Sequence, residues 1–274
     1  YEIMPSLVGS EMCIRDRVWG FEHAFRGLRN PKNSWNRSDS KFNDYYDEER
    51  ADVDFDELLK VYPNAYIHHC NINGYYADII GEADLKLAQT LIKAGNEHRK
   101  FMRQIFVSVD ITAPLYWWKE FDTYKVGTVA NSTSTMHKLA TTPITLDCFE
   151  IDDYDRNLSL ADDPKNDDGL DNISTFEEDI IYVLENIRQK YLETKDKRYW
   201  KELIRWLPES WLQKRTVTMT YENLLAMCSK GQRRFHKLNE WSGQDSSNVP
   251  NFISWARVLP YAQELIFFDE LETK

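Results

Sequence analysis

The stretch 147–171 marks where this chain cannot pack. It holds ten acidic residues against two basic ones, a net charge of −8, interspersed with Asn, Pro and Gly. Such a segment buries too little apolar surface to offset the entropy of ordering it, and it reads as a solvated loop inserted into a folded domain. Its aspartates lack the spacing of a calcium-binding EF-hand loop, so no metal is assigned to them.

The charge balance has to be read around that loop. The whole chain carries −11. Residues 1–17 (YEIMPSLVGSEMCIRDR) show no helix or strand period and resemble a translated adapter sequence, so they are expected to be a non-native tail. They also lack the basic start and apolar core of a signal peptide. Setting aside −1 for the tail and −8 for the loop leaves −2 for the other 232 residues, and within them 197–238 carries ten Lys or Arg against three Glu. A basic segment inside an acidic chain points to an anionic ligand, although ordinary surface cations on amphipathic helices give the same pattern. The acidity of the whole argues against a nucleic-acid partner. No apolar run approaches the roughly 18 residues that a membrane-spanning helix needs.

Outside the tail there are three cysteines, Cys70, Cys148 and Cys228, far apart and without a C-x-x-C pair. No disulfide framework follows, and a reducing, cytoplasmic setting is expected. His68, His69 and Cys70 are consecutive and cannot all face one metal from regular structure.

Hydrophobic periodicity predicts a helix-rich α+β fold with a small mixed or antiparallel sheet, arranged as a single domain over 18–274. A short helix over 21–29 is stopped by Asn30-Pro31. Residues 30–56 read as polar loop. An amphipathic helix over 84–94 carries Leu85, Ala88, Leu91 and Ile92 on one face, with Gly95 just past its end. Alternation predicts a strand over 105–111, and Pro114 opens an aromatic helix to about Tyr124. The run 127–134 is small and hydroxyl-rich, and 134–139 opens another helix. Beyond the acidic loop, Ser174 and Glu177 form a capping box for a helix to Leu192 with Ile180, Ile181, Leu184 and Ile187 as its stripe. Helices over 199–206, 221–229, 235–241 and 252–271 and a strand over 215–220 complete the reading.

No nucleophile elbow, zinc-protease motif, Walker loop or dinucleotide-binding glycine motif is present. The chemistry has to come from three consecutive blocks: 95–112, basic and leading into a strand; 113–139, an aromatic helix and a hydroxyl-rich loop; and 203–241. Ala113-Pro114 opens the second block. Thr123, Tyr124 and Lys125 follow its helix, then Thr128, Asn131, Ser132, Ser134 and Thr135. The third block contains Arg205-Trp206-Leu207-Pro208, then Thr218 to Leu224, then Arg233, His236 and Glu240.

In block order the chain resembles the flavin-dependent thymidylate synthases, the ThyX family, in divergent form. Thr123-Tyr124-Lys125 stand where the family has R-H-R, and Thr135 stands where its loop ends in Arg. Arg205 to Pro208 resembles its A-R-x-x-L-P element, and Thr218 to Leu224 its T-x-N-x-R-x-L element with Glu222 in place of Arg. Arg233, His236 and Glu240 resemble its R-x-x-x-H-A-Q-x-E element. The resemblance implies a homotetramer that methylates dUMP reductively, using FAD, NADPH and methylenetetrahydrofolate. It implies catalytic roles for Ser134 and Arg233, and substrate contacts from Lys125, Thr128, Asn131, Ser132, Arg205 and Arg234. It implies cofactor contacts from Arg103, Gln104, Thr123, Tyr124, Thr220 and His236. Because the flavin carries the reducing equivalents and the methylene group, no protein nucleophile is needed.

Three arginines of the family loop are replaced here, and Thr or Lys cannot reproduce the bidentate fork of a guanidinium. A nucleotide- or flavin-binding protein without the reaction is therefore the alternative. A third possibility is an interaction protein, with Trp117, Trp118 and Phe121 as core rather than a stacking platform, the Ser/Thr run as a turn and helix cap, Arg205 in a surface or cation–π contact, and His98 and His236 structural.

Overall fold

The computed structural model describes residues 17–47, 55–71, 74–151, 155, 157–158, 173–233, 236–242 and 251–271. Residues 1–16 of the expected tail, most of the acidic loop, Arg234 and Phe235 lie outside the described residues. So do the side chains of His68, His69, Cys70, Ser174 and Arg233. The chain forms two compact units. One comprises Asp110–Thr123 and Asn131–Thr216; the other comprises Arg15–Val109, Tyr124–Ala130 and Val217–Lys274.

Strand β1 (Arg17–Trp19) turns into helix α1 (Phe21–Arg29) at Gly20. That turn requires glycine, because φ is +101° and a Cβ would lie 2.1 Å from the Gln104 carbonyl oxygen. As expected, Asn30-Pro31 ends α1, in a short 3₁₀ turn. The stretch read as loop contains a strand, β2 (Lys41–Asp47), followed by α2 (Phe55–Val61), β3 (Tyr66–Asn71) and β4 (Gly74–Ile79). The three strands form an antiparallel sheet in the order β2-β4-β3, with Tyr45 opposite Tyr76 and Tyr46 opposite Tyr75. The sequence KFNDYYD has no clean alternation of apolar and polar residues, which is why the period signal misses this strand.

Helix α3 (Glu82–Lys93) follows the expected pattern. Ala88 and Ile92 are buried, and Gly95, at φ +99°, donates its N–H to the Ile92 carbonyl. Its first turn holds a fully buried carboxylate, Asp84. Asp84 Oδ1 accepts from Arg29 Nε at 2.6 Å, and Oδ2 accepts from the Ser38 and Ser40 hydroxyls at 2.5 and 2.6 Å. Asp39 in turn accepts from the Ala83 and Asp84 backbone N–H groups and caps α3.

Strand β5 (Phe106–Pro114) buries Val107, Val109, Ile111 and Ala113 on one face. Helix α4 (Leu115–Phe121) starts with Pro114 as its N-cap, one place outside the expected first-turn position. Trp117, Trp118 and Phe121 are 1–2% exposed and pack on one another, so they are core. The hydroxyl-rich run contains a short strand, β6 (Val129–Ser132), rather than only a loop. Thr133 extends past it with its N–H on the Lys214 carbonyl at 2.8 Å.

Helices α5 (Thr135–Lys138), α6 (Ile173–Thr194) and α7 (Lys197–Arg205) follow, then β7 (Leu212–Thr220) and α8 (Tyr221–Cys228). The α6 stripe packs on a buried cluster of Leu139, Ala140, Ile144, Phe149, Leu184 and Leu203. The last stretch is more broken than expected: α9 (Lys230–Arg233), α10 (Asn239–Ser242), α11 (Phe252–Arg257), α12 (Ala262–Leu265) and α13 (Phe268–Leu271). Pro260 and a left-handed Tyr261 (φ +54°) interrupt the helix expected over 252–271. The four-stranded sheet runs in the order β1-β5-β7-β6. Among the described residues no helix is long and apolar enough to cross a membrane.

Two stability predictions follow from these polar anchors. Asp84→Ala strands the Arg29 guanidinium in the core and costs about 3–5 kcal/mol in urea denaturation, whereas Arg205→Ala, at an exposed pair, stays within about 0.5 kcal/mol. In the other unit, Arg188 hydrogen bonds pull the Glu185 carboxyl down to about 2, with help from the Ile144 backbone N–H. Its contribution is therefore complete above the ordinary value of 4.5 and lost as pH falls toward 2. Glu185→Gln lowers stability above the window and flattens the profile within it, because the variant has no carboxyl to titrate.

Candidate functional site

The clearest construction around predicted site residues is the turn 124–128. Gly127 sits at φ +83° and lets the chain reverse. Thr128 closes the turn with its backbone N–H and its hydroxyl on the Lys125 carbonyl, at 3.0 and 2.9 Å. Asn223 fixes it from the β7–α8 junction, its amide nitrogen donating to the Val126 carbonyl at 2.8 Å. Asn223 Oδ1 accepts from the Thr220 N–H and hydroxyl, and the Thr220 hydroxyl accepts from the Asn223 N–H. This capping box holds α8 and the turn together. Lys125 is exposed, and its ammonium group makes no ion pair among the described residues.

Behind the turn lies an aromatic stack. The Tyr124 hydroxyl is 3.1 Å from His236 Nε2, and the buried His236 ring stacks on Trp241 with centroids 4.2 Å apart. Trp241 continues into Phe252 at 5.1 Å. Only Tyr124 of this group is half-exposed; the other faces are spent inside the core. The arrangement keeps His236 in place, with Tyr124 the one half-exposed ring of the stack.

Arg103 and Gln104 sit in a 3₁₀ segment, 100–104, ahead of β5. Arg103 pairs with Glu222, as does Arg99 at 3.2 Å. Burial pushes the Glu222 carboxyl up, but hydrogen bonds from Arg103 and Arg99 outweigh it and hold the group below the usual carboxylate range. Gln104 lines a cleft of about 760 Å³ with a floor of Leu28, Leu87, Leu91 and Phe101 and a rim of Lys32, His98 and an ion pair of Glu97 with Lys100. Helices α1 and α3 supply part of its walls, and the segments 30–34 and 97–104 the rest.

The remaining described candidates belong to the other unit. The Thr123 hydroxyl donates to the Glu120 carbonyl at 2.7 Å. Asn131 and Ser132 are exposed on β6. The Ser134 hydroxyl accepts from the His137 N–H and caps α5, as the cap reading expects. Arg205 pairs with Glu202, which also accepts from the Trp206 indole at 3.0 Å, so a shared carboxylate joins the two rather than a cation–π contact. Among the described residues no His, Cys, Asp or Glu group could hold a metal ion.

Asn223 and Arg99 were not singled out from sequence, and Glu222 only as a replaced arginine without its partners. The Thr220-x-x-Asn223 spacing carried the signal for the first; the pairing of the other two shows only in space.

No family model and no curated protein matches the sequence. Solved structures do. A flavin-dependent thymidylate synthase of Helicobacter pylori, crystallised with FAD and dUMP, aligns over 92% of this chain and 96% of its own, with TM-score 0.52 and 14% identity. A second structure of that enzyme with the same ligands aligns over 95% and 100%, with TM-score 0.53 and 14% identity. The fold of this chain is that of the flavin-dependent thymidylate synthases, a helix-rich arrangement with small antiparallel sheets.

The staple makes a direct prediction. Asn223→Ala removes the donor to Val126 and the cap partner of Thr220, and costs about 1–2 kcal/mol in urea denaturation. A loss below about 0.5 kcal/mol would show that the turn holds itself.

Proposed function

We propose that this protein is a flavin- and nucleotide-binding enzyme of the thymidylate synthase type, which methylates dUMP reductively with methylenetetrahydrofolate and NADPH. The observation that carries the reading is the fold likeness along almost the whole chain to an enzyme crystallised with FAD and dUMP. The cleft beside Phe101 supports it. An apolar floor suits the ring of a flavin nucleotide, and Lys32 and His98 on the rim, beside the Glu97–Lys100 ion pair, suit its phosphates. When bound, FAD supplies the reducing equivalents and carries the methylene group.

The chain's own residues bind and orient. Arg103, Gln104, Thr123, Tyr124, Thr220 and His236 are assigned to the flavin, with Tyr124 the ring available for stacking. Lys125, Thr128, Asn131, Ser132, Arg205 and Arg234 are assigned to the nucleotide, and Ser134 and Arg233 to the reacting base. Residues 18–274 act as one functional domain, in a cytoplasmic homotetramer.

One observation favours a second reading, binding without turnover. Arg103 is committed to Glu222, and the loop presents Lys125 where a guanidinium fork would clamp phosphate. The two readings separate on purified protein. Retained flavin absorbance together with tritium release from 5-tritiated dUMP supports the enzyme. Thermal stabilisation by FAD or dUMP without release supports the binder. A colourless protein stabilised by neither overturns both. Lys125→Ala is expected to weaken dUMP binding about tenfold without unfolding the protein.

A further inference from the structure

A cavity in the unit formed by Asp110–Thr123 and Asn131–Thr216 has no part in that reading. It measures about 310 Å³ and lies between the segment 149–151, helix α6 and the segment 208–210. Its walls are apolar, from Phe149, Ile151, Phe176, Ile180 and Ile181. One lip is fixed from behind. Phe149 bridges Trp211 in antiparallel pairing, with the two rings 5.5 Å apart. The Glu150 N–H donates to the Ser210 carbonyl at 2.8 Å, and Glu150 Oε2 accepts from the Tyr116 hydroxyl at 3.0 Å. The cavity is thus preformed.

An apolar ridge runs out of it along α6. Phe176 is 49% exposed and Val183 51%. They occupy positions i and i+7 of the helix, with Ile180 at i+4, so the three share one face. Exposed apolar surface continuous with a cavity marks a docking face rather than an enclosed small-molecule site. The rim is acidic. Glu150 and Glu177 line the cavity, and its lining includes no Lys, Arg or His. At helical spacing Glu178 and Asp179 fall on either side of the lining face. Both are exposed, and neither forms an ion pair among the described residues. The stretch 147–171, net charge −8, leaves the cavity lip at Ile151 and leads to α6, so its charge is tethered at both edges of the mouth.

These charges decide the occupant. A two-fold contact between copies of this chain would set the acidic face against itself, and an anionic lipid surface would be repelled. We propose that the cavity and ridge dock a cationic amphipathic helix of a partner protein. Its apolar side chains enter against Phe176, Ile180 and Ile181, and its Lys or Arg residues meet the acidic rim. The apolar contacts supply affinity; the rim supplies encounter rate and selects the sign of charge. The cavity shares no lining residue with the cleft beside Phe101, so the proposal stands independently of flavin binding.

The test is fluorescence anisotropy on the full chain with labelled helical peptides of about 18 residues. The first carries Leu on one face and Lys on the other; a second has Gln for every Lys, and a third has Ser for every Leu. The first is expected to bind at least about tenfold more tightly than either of the others, and to weaken at least about fivefold between roughly 50 and 500 mM NaCl. Phe176→Ala and Asp179→Lys are each expected to weaken it at least about fivefold, with the melting temperature unchanged because both side chains are exposed. Equal binding of the Gln peptide removes the charge requirement and overturns the proposal. Equal binding of the Ser peptide reduces the contact to charge alone and overturns it too. Failure of the first peptide to bind, or indifference to both variants, does the same. So does sedimentation in which Phe176→Ala splits a wild-type oligomer, since a second copy then covers the face.

Discussion

The buried carboxylate of Asp84 is the constraint on which the larger unit depends. A charge placed there is tolerable only when its oxygens are fully satisfied. Arg29, Ser38 and Ser40 meet that requirement from α1 and from the segment before β2. Each donor fixes the element it comes from. The end of α1, the segment 38–40 and the first turn of α3 are therefore set relative to one another by one side chain. Two walls of the Gln104 cleft come from α1 and α3, so their spacing across the cleft follows from that pairing. Gly81 reports how tight the junction is: a Cβ there would lie 2.1 Å from the Asp39 carboxyl carbon.

A second polar device does the same work on a smaller scale. Beyond Tyr124, the tip of the turn 125–128 has no apolar anchor, since Val126 is among the most exposed apolar residues described. Its position depends on the Asn223 amide and on the conformational freedom of Gly127. Helix caps are economical for this purpose. The groups that satisfy the first turn of α8 also grip the loop, and no additional buried polar atom is needed.

What the sequence made legible follows the strength of its periodic signals. The alternation IFVSVDI read as β5, and the stripe Ile180, Ile181, Leu184 and Ile187 read as the buried face of α6; the structure has both. Strands β1 to β4 and β6 escaped; β2 lacks clean alternation and β6 is exposed along its length. In each, pairing rather than pattern decides the conformation. The site was legible only in part. Ser134 was readable as a cap because capping is local. Glu222 was visible as a replaced arginine, but its partners Arg99 and Arg103 lie more than a hundred residues away in sequence, and no local rule reaches that far.

Charge is where the structure sharpens the sequence most. The basic segment 197–238 suggested an anion site, yet four of its cations are met by neighbouring acids: Arg198 by Asp196, Arg205 by Glu202, Lys214 by Asp110 and Arg215 by Asp122. Arg215 also lies over the Trp118 ring at 4.2 Å, which ties it further to the core. Arg103 is likewise held by Glu222. Part of the positive potential expected from counting residues is thus neutralised within a few ångströms. At the turn a lysine remains, a compact and strongly hydrated charge without the planar fork of arginine. The turn's own N–H and hydroxyl at Thr128 are both spent on the Lys125 carbonyl, so what this surface presents is charge rather than a set of directional donors.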